Sequence, residues 1–254
     1  MKNGTKNQKS LLDEFTTIEL AEIAAGYDIR EKTRKRLIES LDEVMSDSEI
    51  RERLQVQDER DRSILLIEGI SKAESYNETA IIAELAKMAD FKAKRKQPNR
   101  KDEAIDLIRS QKYGLIHISS HGTKDSLQMG RATIRPVDLD PVDRIYSQIL
   151  TISACEVGNK EFIRDIAYLL GIPIIIAPSR TIEFLDSAVF FVVFYYLFFD
   201  SIIKKRGDVY IYNSDILKRA ESAFKKAKET IGKSIRGGIK FFDFTKELLN
   251  VFVY

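Results

Sequence analysis

A single cysteine and one of the two histidines stand where they could form a catalytic pair in this 254-residue chain. Cys155 follows the apolar run ILTIS, and His121 follows the apolar run LIHIS. An unassisted thiol has a pKa of about 8.5 and is mostly protonated at neutral pH, so a nucleophilic cysteine needs a nearby base such as an imidazole. The backbone at Gly122 can approach a substrate closely, and its N–H, with that of Cys155, could hold a developing oxyanion.

The runs before both residues predict strands of one sheet. From residue 61 onwards, short apolar runs alternate with helical segments, which is typical of a mostly parallel sheet covered by helices. The carboxyl ends of parallel strands share one edge, so we expect His121 and Cys155 to meet there. The predicted strands are 63–68, 115–119, 149–153, 172–177 and a late strand at 239–244, and the predicted helices are 78–91, 102–109, 161–170, 187–203 and 215–231.

The first 60 residues have a different pattern. Their apolar residues recur at helical spacing, which predicts two or three short helices. Residues 46–62 are mostly charged and predict either a solvated helix or a linker. We therefore divide the chain into a helical accessory or regulatory segment, residues 1–60, and an α/β domain, residues 61–254. The helical segment is where we expect a regulatory partner to bind.

The two motifs together resemble those of caspase-like cysteine peptidases, most closely the bacterial CHAT branch, named for its likeness to caspases and separase. His121-Gly after one strand and Ser153-Ala-Cys155-Glu-x-Gly after the next carry the resemblance, with SLQMGRATIRPVDL between them and IPIIIA and FYYLF after them. The resemblance spans about residue 63 to the C-terminus. It implies a caspase-hemoglobinase-like α/β sandwich and hydrolysis of peptide bonds in a protein substrate by the dyad of His121 and Cys155, without a cofactor. It also implies a role in regulated proteolysis, such as antiviral defence or programmed cell death.

The resemblance further suggests substrate-binding residues. Ser153 matches a position that lines the pocket for the residue before the cut in several caspase-like branches, although its hydroxyl could equally be satisfied within its own strand. Arg180 could add positive charge to that pocket or be a solvated loop residue. Glu156 and Asp186 could likewise either line the pocket or be solvated loop residues. The chain departs from the family at APSRTIEF, where members often carry an aromatic residue, so substrate specificity stays undefined.

Simpler interpretations of these residues are also open. A lone cysteine at the end of a buried strand is usually an inert core residue, and His121 could be a loop residue bonded to backbone. His117 lies within the same strand run and is interpreted as packing or supporting the site, with a role as the base as the lesser alternative. The whole domain could be a catalytically inactive binding or scaffold module. A nucleotide-binding protein is disfavoured, because EGISKAESYNE contains no glycine-rich phosphate loop.

The composition narrows the function classes. The chain has 41 Lys and Arg against 39 Asp and Glu, and a net charge of +2 does not indicate nucleic-acid binding. One cysteine and a polar N-terminus indicate a cytoplasmic protein without disulfides, and no spacing suggests a metal site. The apolar run 188–199 is shorter than the roughly 20 residues of a spanning helix. We interpret it as a buried core helix, with an interfacial membrane segment as the alternative.

We predict that cleavage does not require an acidic residue before the scissile bond. Ser153 is neutral, and Arg180 is the single nearby cation that the pattern places. A cleavage profile against a peptide library measures this preference. Strict selectivity for Asp that disappears in Arg180→Ala would contradict the prediction and make Arg180 the anchor of the pocket.

Overall fold

The structure is a computed structural model that describes residues 8–15, 17–31, 33–70, 77–110, 112–141, 148–203, 216–231 and 238–252. Its strands are β1 (Ser63–Glu68), β2 (Lys92–Lys96), β3 (Leu115–Ser119), β4 (His121–Gly122), β5 (Leu127–Met129), β6 (Ala132–Ile134), β7 (Ile149–Ser153), β8 (Ile174–Pro178) and β9 (Ile239–Asp243). Its α-helices are α1 (Gln8–Leu12), α2 (Thr17–Ala25), α3 (Arg34–Val44), α4 (Asp47–Asp61), α5 (Glu78–Met88), α6 (Lys101–Ile108), α7 (Lys160–Leu170), α8 (Phe184–Ile203), α9 (Ile216–Ile231) and α10 (Thr245–Phe252).

Six strands form the central sheet in the order β2-β1-β3-β7-β8-β9, and all neighbours are parallel except β8 and β9. Strands β1, β3, β7 and β8 are buried along their whole length, which explains why their sequences are nearly continuous apolar runs. Hydrophobic clusters lie on both faces of the sheet: one includes residues of α6 and α7, and the other residues of α5, α8 and α9. The predicted α/β fold with a mostly parallel sheet flanked by helices is therefore confirmed.

Three predicted strands, 63–68, 115–119 and 149–153, have the predicted bounds. The strand predicted at 172–177 runs from Ile174 to Pro178 instead, and the late strand ends at Asp243. Strand β2 was not predicted, because its sequence KAKRK contains no apolar pattern. It is an edge strand whose lysines are exposed, so burial left no signal in its sequence.

The N-terminal helices α1 to α4 pack around a hydrophobic cluster of their own, which includes Leu12, Phe15 and Leu41. The charged stretch, predicted to be either a solvated helix or a linker, forms helix α4. This helix ends two residues before β1. Several polar contacts join this unit to the sheet, among them Gly114 N–H to the Arg60 carbonyl at 2.9 Å. The buried carboxylate of Glu19 accepts hydrogen bonds from Arg60, at 2.8 Å, and from Gln148, at 3.0 Å.

Helix α8 is buried on the side that faces the sheet, where Phe191, Phe194 and Tyr195 are at most 1% exposed. On its outer side Leu185, Val189 and Tyr196 are 42–55% exposed. Among the helices in the described ranges, α8 is the one that is long and apolar enough to cross a membrane. In its apolar stretch Phe184–Ser201, 44% is buried inside the protein. The predicted core helix is thus buried on one side, and its outer side is apolar as well.

We expect the chain without residues 1–60 to fold as an α/β domain, because the N-terminal helices have a separate hydrophobic cluster. Its melting temperature should fall, since Gln148 loses its hydrogen bond to the Glu19 carboxylate and a hydrogen bond to a charged group contributes about 1.5–3 kcal/mol. Circular dichroism during heating measures both expectations. A truncated chain that is unfolded at room temperature would show that the helices belong to the main folding unit.

Candidate active site

The pairing of β3 with β7 brings the two segments that carry the predicted dyad to the same edge of the sheet. The two strands are parallel, and the last pair in their register is Ser119 with Ser153. His121 and Cys155 each lie two residues beyond that pair, so they leave the sheet side by side at its carboxyl edge. The hydrogen bond from Ser120 N–H to the Ser153 carbonyl, 3.1 Å, continues the contact past the strand ends.

Gly122 shows how closely the two loops approach. A Cβ atom at this position would lie 2.8 Å from the carbonyl oxygen of Cys155 and 2.5 Å from a methyl carbon of Val157. These distances are shorter than any normal van der Waals contact, so only glycine fits. The backbone of His121 and Gly122 therefore lies directly against that of Ala154 and Cys155.

His121 is presented to solvent by the short strand β4. This strand pairs with β5 in a separate three-stranded antiparallel sheet, where His121 is opposite Gln128. The imidazole is exposed, and its ring meets the edge of Phe184 with the centroids 6.0 Å apart. A base at this place can exchange protons with a substrate or with water.

Cys155 is held in a tight turn after β7. Its side chain is partly exposed, and its thiol donates a hydrogen bond to the Ile182 carbonyl at 3.3 Å. The next residue, Glu156, has a left-handed backbone with φ 58°, and its N–H donates to the Arg180 carbonyl at 3.2 Å. The Gly158 N–H donates to the Pro178 carbonyl at 2.6 Å, so the whole turn is fixed to the end of β8.

The backbone N–H of Cys155 is one of the two oxyanion donors predicted from the sequence. Among the described residues, no loop or turn hydrogen bond between backbone groups uses it. The Gly122 backbone lies against the Cys155 carbonyl. The predicted donors, Gly122 and Cys155, thus belong to adjoining segments of the same edge.

The two predicted substrate-binding residues lie in different environments. Ser153 is 1% exposed, and its hydroxyl is 2.8 Å from that of Ser187 on α8, so its partner comes from a helix and not from its own strand. Arg180 is exposed, and its carbonyl supports the turn at Glu156. Ser187 lies next to Asp186, which is partly exposed.

A polar ladder runs beneath the edge, formed by His117 and Ser119 of β3 and Thr151 and Ser153 of β7. All four residues are at most 1% exposed and share the sheet face covered by α5 and α8. His117 Nδ1 is 2.7 Å from Thr151 Oγ1, which is 2.7 Å from the Tyr195 hydroxyl of α8. Burial raises the pKa of Tyr195 above its ordinary value, so its hydroxyl keeps its proton and can donate.

Glu78, the first residue of α5, also reaches the ladder and was missed in the sequence. Its side chain is fully buried, and its Oε2 accepts a hydrogen bond from Ser119 at 2.7 Å. A buried glutamate is rare unless it is paired, but a glutamate in the first turn of a helix is common. The sequence therefore offered no signal that would distinguish Glu78 from an exposed helix residue.

A cavity of about 850 Å³ lies at the other end of the sheet. It is lined by residues of α2 and α4, among them Ile23 and Val56, and by Ser63 and Lys92 at the starts of β1 and β2. In the described part of the chain, no three His, Cys, Asp or Glu side chains are grouped as metal ligands would be. Comparison with protein-family models finds no matching family, and comparison with curated proteins finds no matching relative.

We expect Gly122→Ala to separate the two loops and slow alkylation of Cys155 by iodoacetamide at pH 7. The new methyl group would need space now filled by the Cys155 carbonyl and by Val157, and small displacements at a reacting pair cost about tenfold or more in rate. The control is Gly130→Ala, in the same small sheet, where the nearest atom would be 3.8 Å away and the positive φ costs about 1–3 kcal/mol of stability. Equal rates in the two folded variants would show that the close approach is unimportant for the thiol.

Proposed function

We propose that the protein is a cysteine-type endopeptidase of the caspase-like class, with a caspase-hemoglobinase-like fold, Cys155 as nucleophile and His121 as general base. The observation that carries the proposal is the contact of the Gly122 backbone with that of Cys155, which sets the segment that bears an exposed imidazole against the segment that bears the chain's one thiol. A neighbouring imidazole is what a thiol needs to react at neutral pH. The resemblance of the two motifs to the CHAT branch adds the reaction type.

The reaction begins when His121 accepts the proton of the Cys155 thiol. The hydrogen bond from this thiol to the Ile182 carbonyl is broken in the same step. The thiolate attacks the carbonyl carbon of the scissile bond, and the N–H groups of Gly122 and Cys155 stabilise the oxyanion. His121 then returns the proton to the leaving amine, which leaves an acyl-thioester on Cys155. Water, deprotonated by His121, hydrolyses the thioester and restores the thiol.

We propose that the N-terminal helices regulate this activity. They enclose the cavity between α2 and α4, at the opposite edge of the sheet from Cys155, so a regulatory protein could bind there without obstructing a substrate. In the cytoplasm, such a peptidase would act in regulated proteolysis linked to defence or cell death. The rival function, an inactive caspase-like binding module, predicts an unreactive thiol.

Alanine substitutions test the dyad directly. Cys155→Ala should lower peptide cleavage by more than about a thousandfold, and His121→Ala by about a hundredfold or more, because they remove the nucleophile and its base. Both variants should keep the wild-type circular dichroism spectrum. Lys124→Ala, an exposed residue of the loop between β4 and β5, is the control and should cleave at the wild-type rate.

Iodoacetamide labelling with mass spectrometry separates the proposal from its rival. The wild type should gain one adduct, at Cys155, and lose cleavage at the same rate, since the chain has one cysteine. His121→Ala should be labelled more slowly. Full peptidase activity in Cys155→Ala would eliminate the proposal, and a wild-type thiol as slow as that of His121→Ala would favour the inactive binding module.

A further inference from the structure

A buried nitrogen atom of His117, in the polar ladder, faces a buried oxygen atom of Glu78 without a hydrogen bond. His117 Nε2 and Glu78 Oε1 are 3.6 Å apart, both side chains are 0% exposed, and neither atom has a hydrogen-bond partner among the described residues. Their remaining polar atoms are bonded: Nδ1 to Thr151 and Oε2 to Ser119. A buried ionisable pair is costly unless the two groups satisfy each other.

The geometry restricts where the protons are. If neither facing atom carried a proton, a lone pair of the carboxylate would point at a lone pair of the imidazole, in surroundings that include the ring of Phe191. Such repulsion is strong where water is excluded. At least one of the two facing atoms therefore carries a proton. On the pair's other side, the Tyr195 hydroxyl lies 2.7 Å from Thr151 Oγ1, and because burial raises the pKa of Tyr195 it offers no charge.

We propose that Glu78 and His117, with one of their two facing atoms protonated, act together as a positioning pair for His121. Glu78 begins α5 and holds the hydroxyl of Ser119, the last residue of β3. His121 follows Ser119 by two residues. The pair thus fixes the end of β3 relative to α5, and through it the distance between the imidazole of His121 and the thiol of Cys155. This inference rests on the proposed dyad.

The Glu78 carboxylate serves to position the end of β3 more than to stabilise the folded protein. A buried polar pair often adds no stability over apolar residues of similar size, whereas it permits one arrangement of the groups that it joins. The backbone supports the same point from the other side, because the Gly69 N–H donates to the Ser119 carbonyl at 2.7 Å. Ser119 is therefore held by its hydroxyl and by its carbonyl just before the chain reaches the dyad.

The test replaces Glu78 by Gln, which keeps the size of the side chain and can still accept from Ser119, but offers His117 neither an acidic proton nor a negative charge. Glu84→Gln is the matched control, on the exposed side of the same helix, where Glu84 is paired with Lys87. Alkylation of Cys155 by iodoacetamide at pH 7 should slow by about tenfold in Glu78→Gln and stay at the wild-type rate in Glu84→Gln. The kcat for a peptide substrate should fall by the same factor, with KM changed less than about twofold.

The result of alkylation decides the matter independently of cleavage. If folded Glu78→Gln has a lower melting temperature and a wild-type alkylation rate, the pair is only structural and the inference is overturned. If its alkylation is slow although the wild type cleaves no peptide, the positioning role stands and the proposed peptidase activity fails. Should Glu78→Gln not fold, Ser119→Ala, which removes the link to β3, is judged by the same alkylation criterion.

Discussion

The parallel pairing of β3 with β7 is the constraint on which the candidate site depends. Parallel neighbours are about 4.8 Å apart, and both chains leave the sheet at the same edge, so the segments just past the last pair begin side by side. His121 and Cys155 are two residues past the pair of Ser119 and Ser153. The absence of a side chain at Gly122 then lets the two loops touch. The helices on both faces serve this arrangement by burying the strands.

The sequence was most informative where burial shaped it. Strands β1, β3 and β7 are buried on both faces, and their apolar runs predicted their bounds. Strand β2 is exposed at the edge, and its lysine-rich sequence carried no pattern. The neighbourhood of His121 and Cys155 followed from strand order, but the buried contact of Glu78 could not be predicted, because it depends on how α5 packs across β3. The same holds for Ser153, whose partner belongs to α8.

The candidate site combines the exposed side chains of the proposed dyad with buried polar residues beneath them. His121 is exposed and Cys155 partly so, while the residues just below them are fully enclosed and joined by short hydrogen bonds. Polar groups in a core are costly, and here they are concentrated on one face of the two strands that end at the dyad. The other face of the same strands carries Ile116, Ile118, Leu150 and Ile152 and belongs to an ordinary hydrophobic cluster. The asymmetry indicates that the polar face serves more than packing.

The polar ladder also has a consequence for how the sheet assembles. A slip of β3 against β7 by two residues would keep every apolar side chain on its own face, so hydrophobic burial alone would barely oppose it. It would, however, shift one loop against the other by about 6.6 Å, at about 3.3 Å per residue. The same slip would pair His117 with Ile149 or Ser153 and leave buried polar groups without partners. The hydrogen bond between His117 and Thr151 therefore favours the one register of β3 and β7 in which the strand ends coincide.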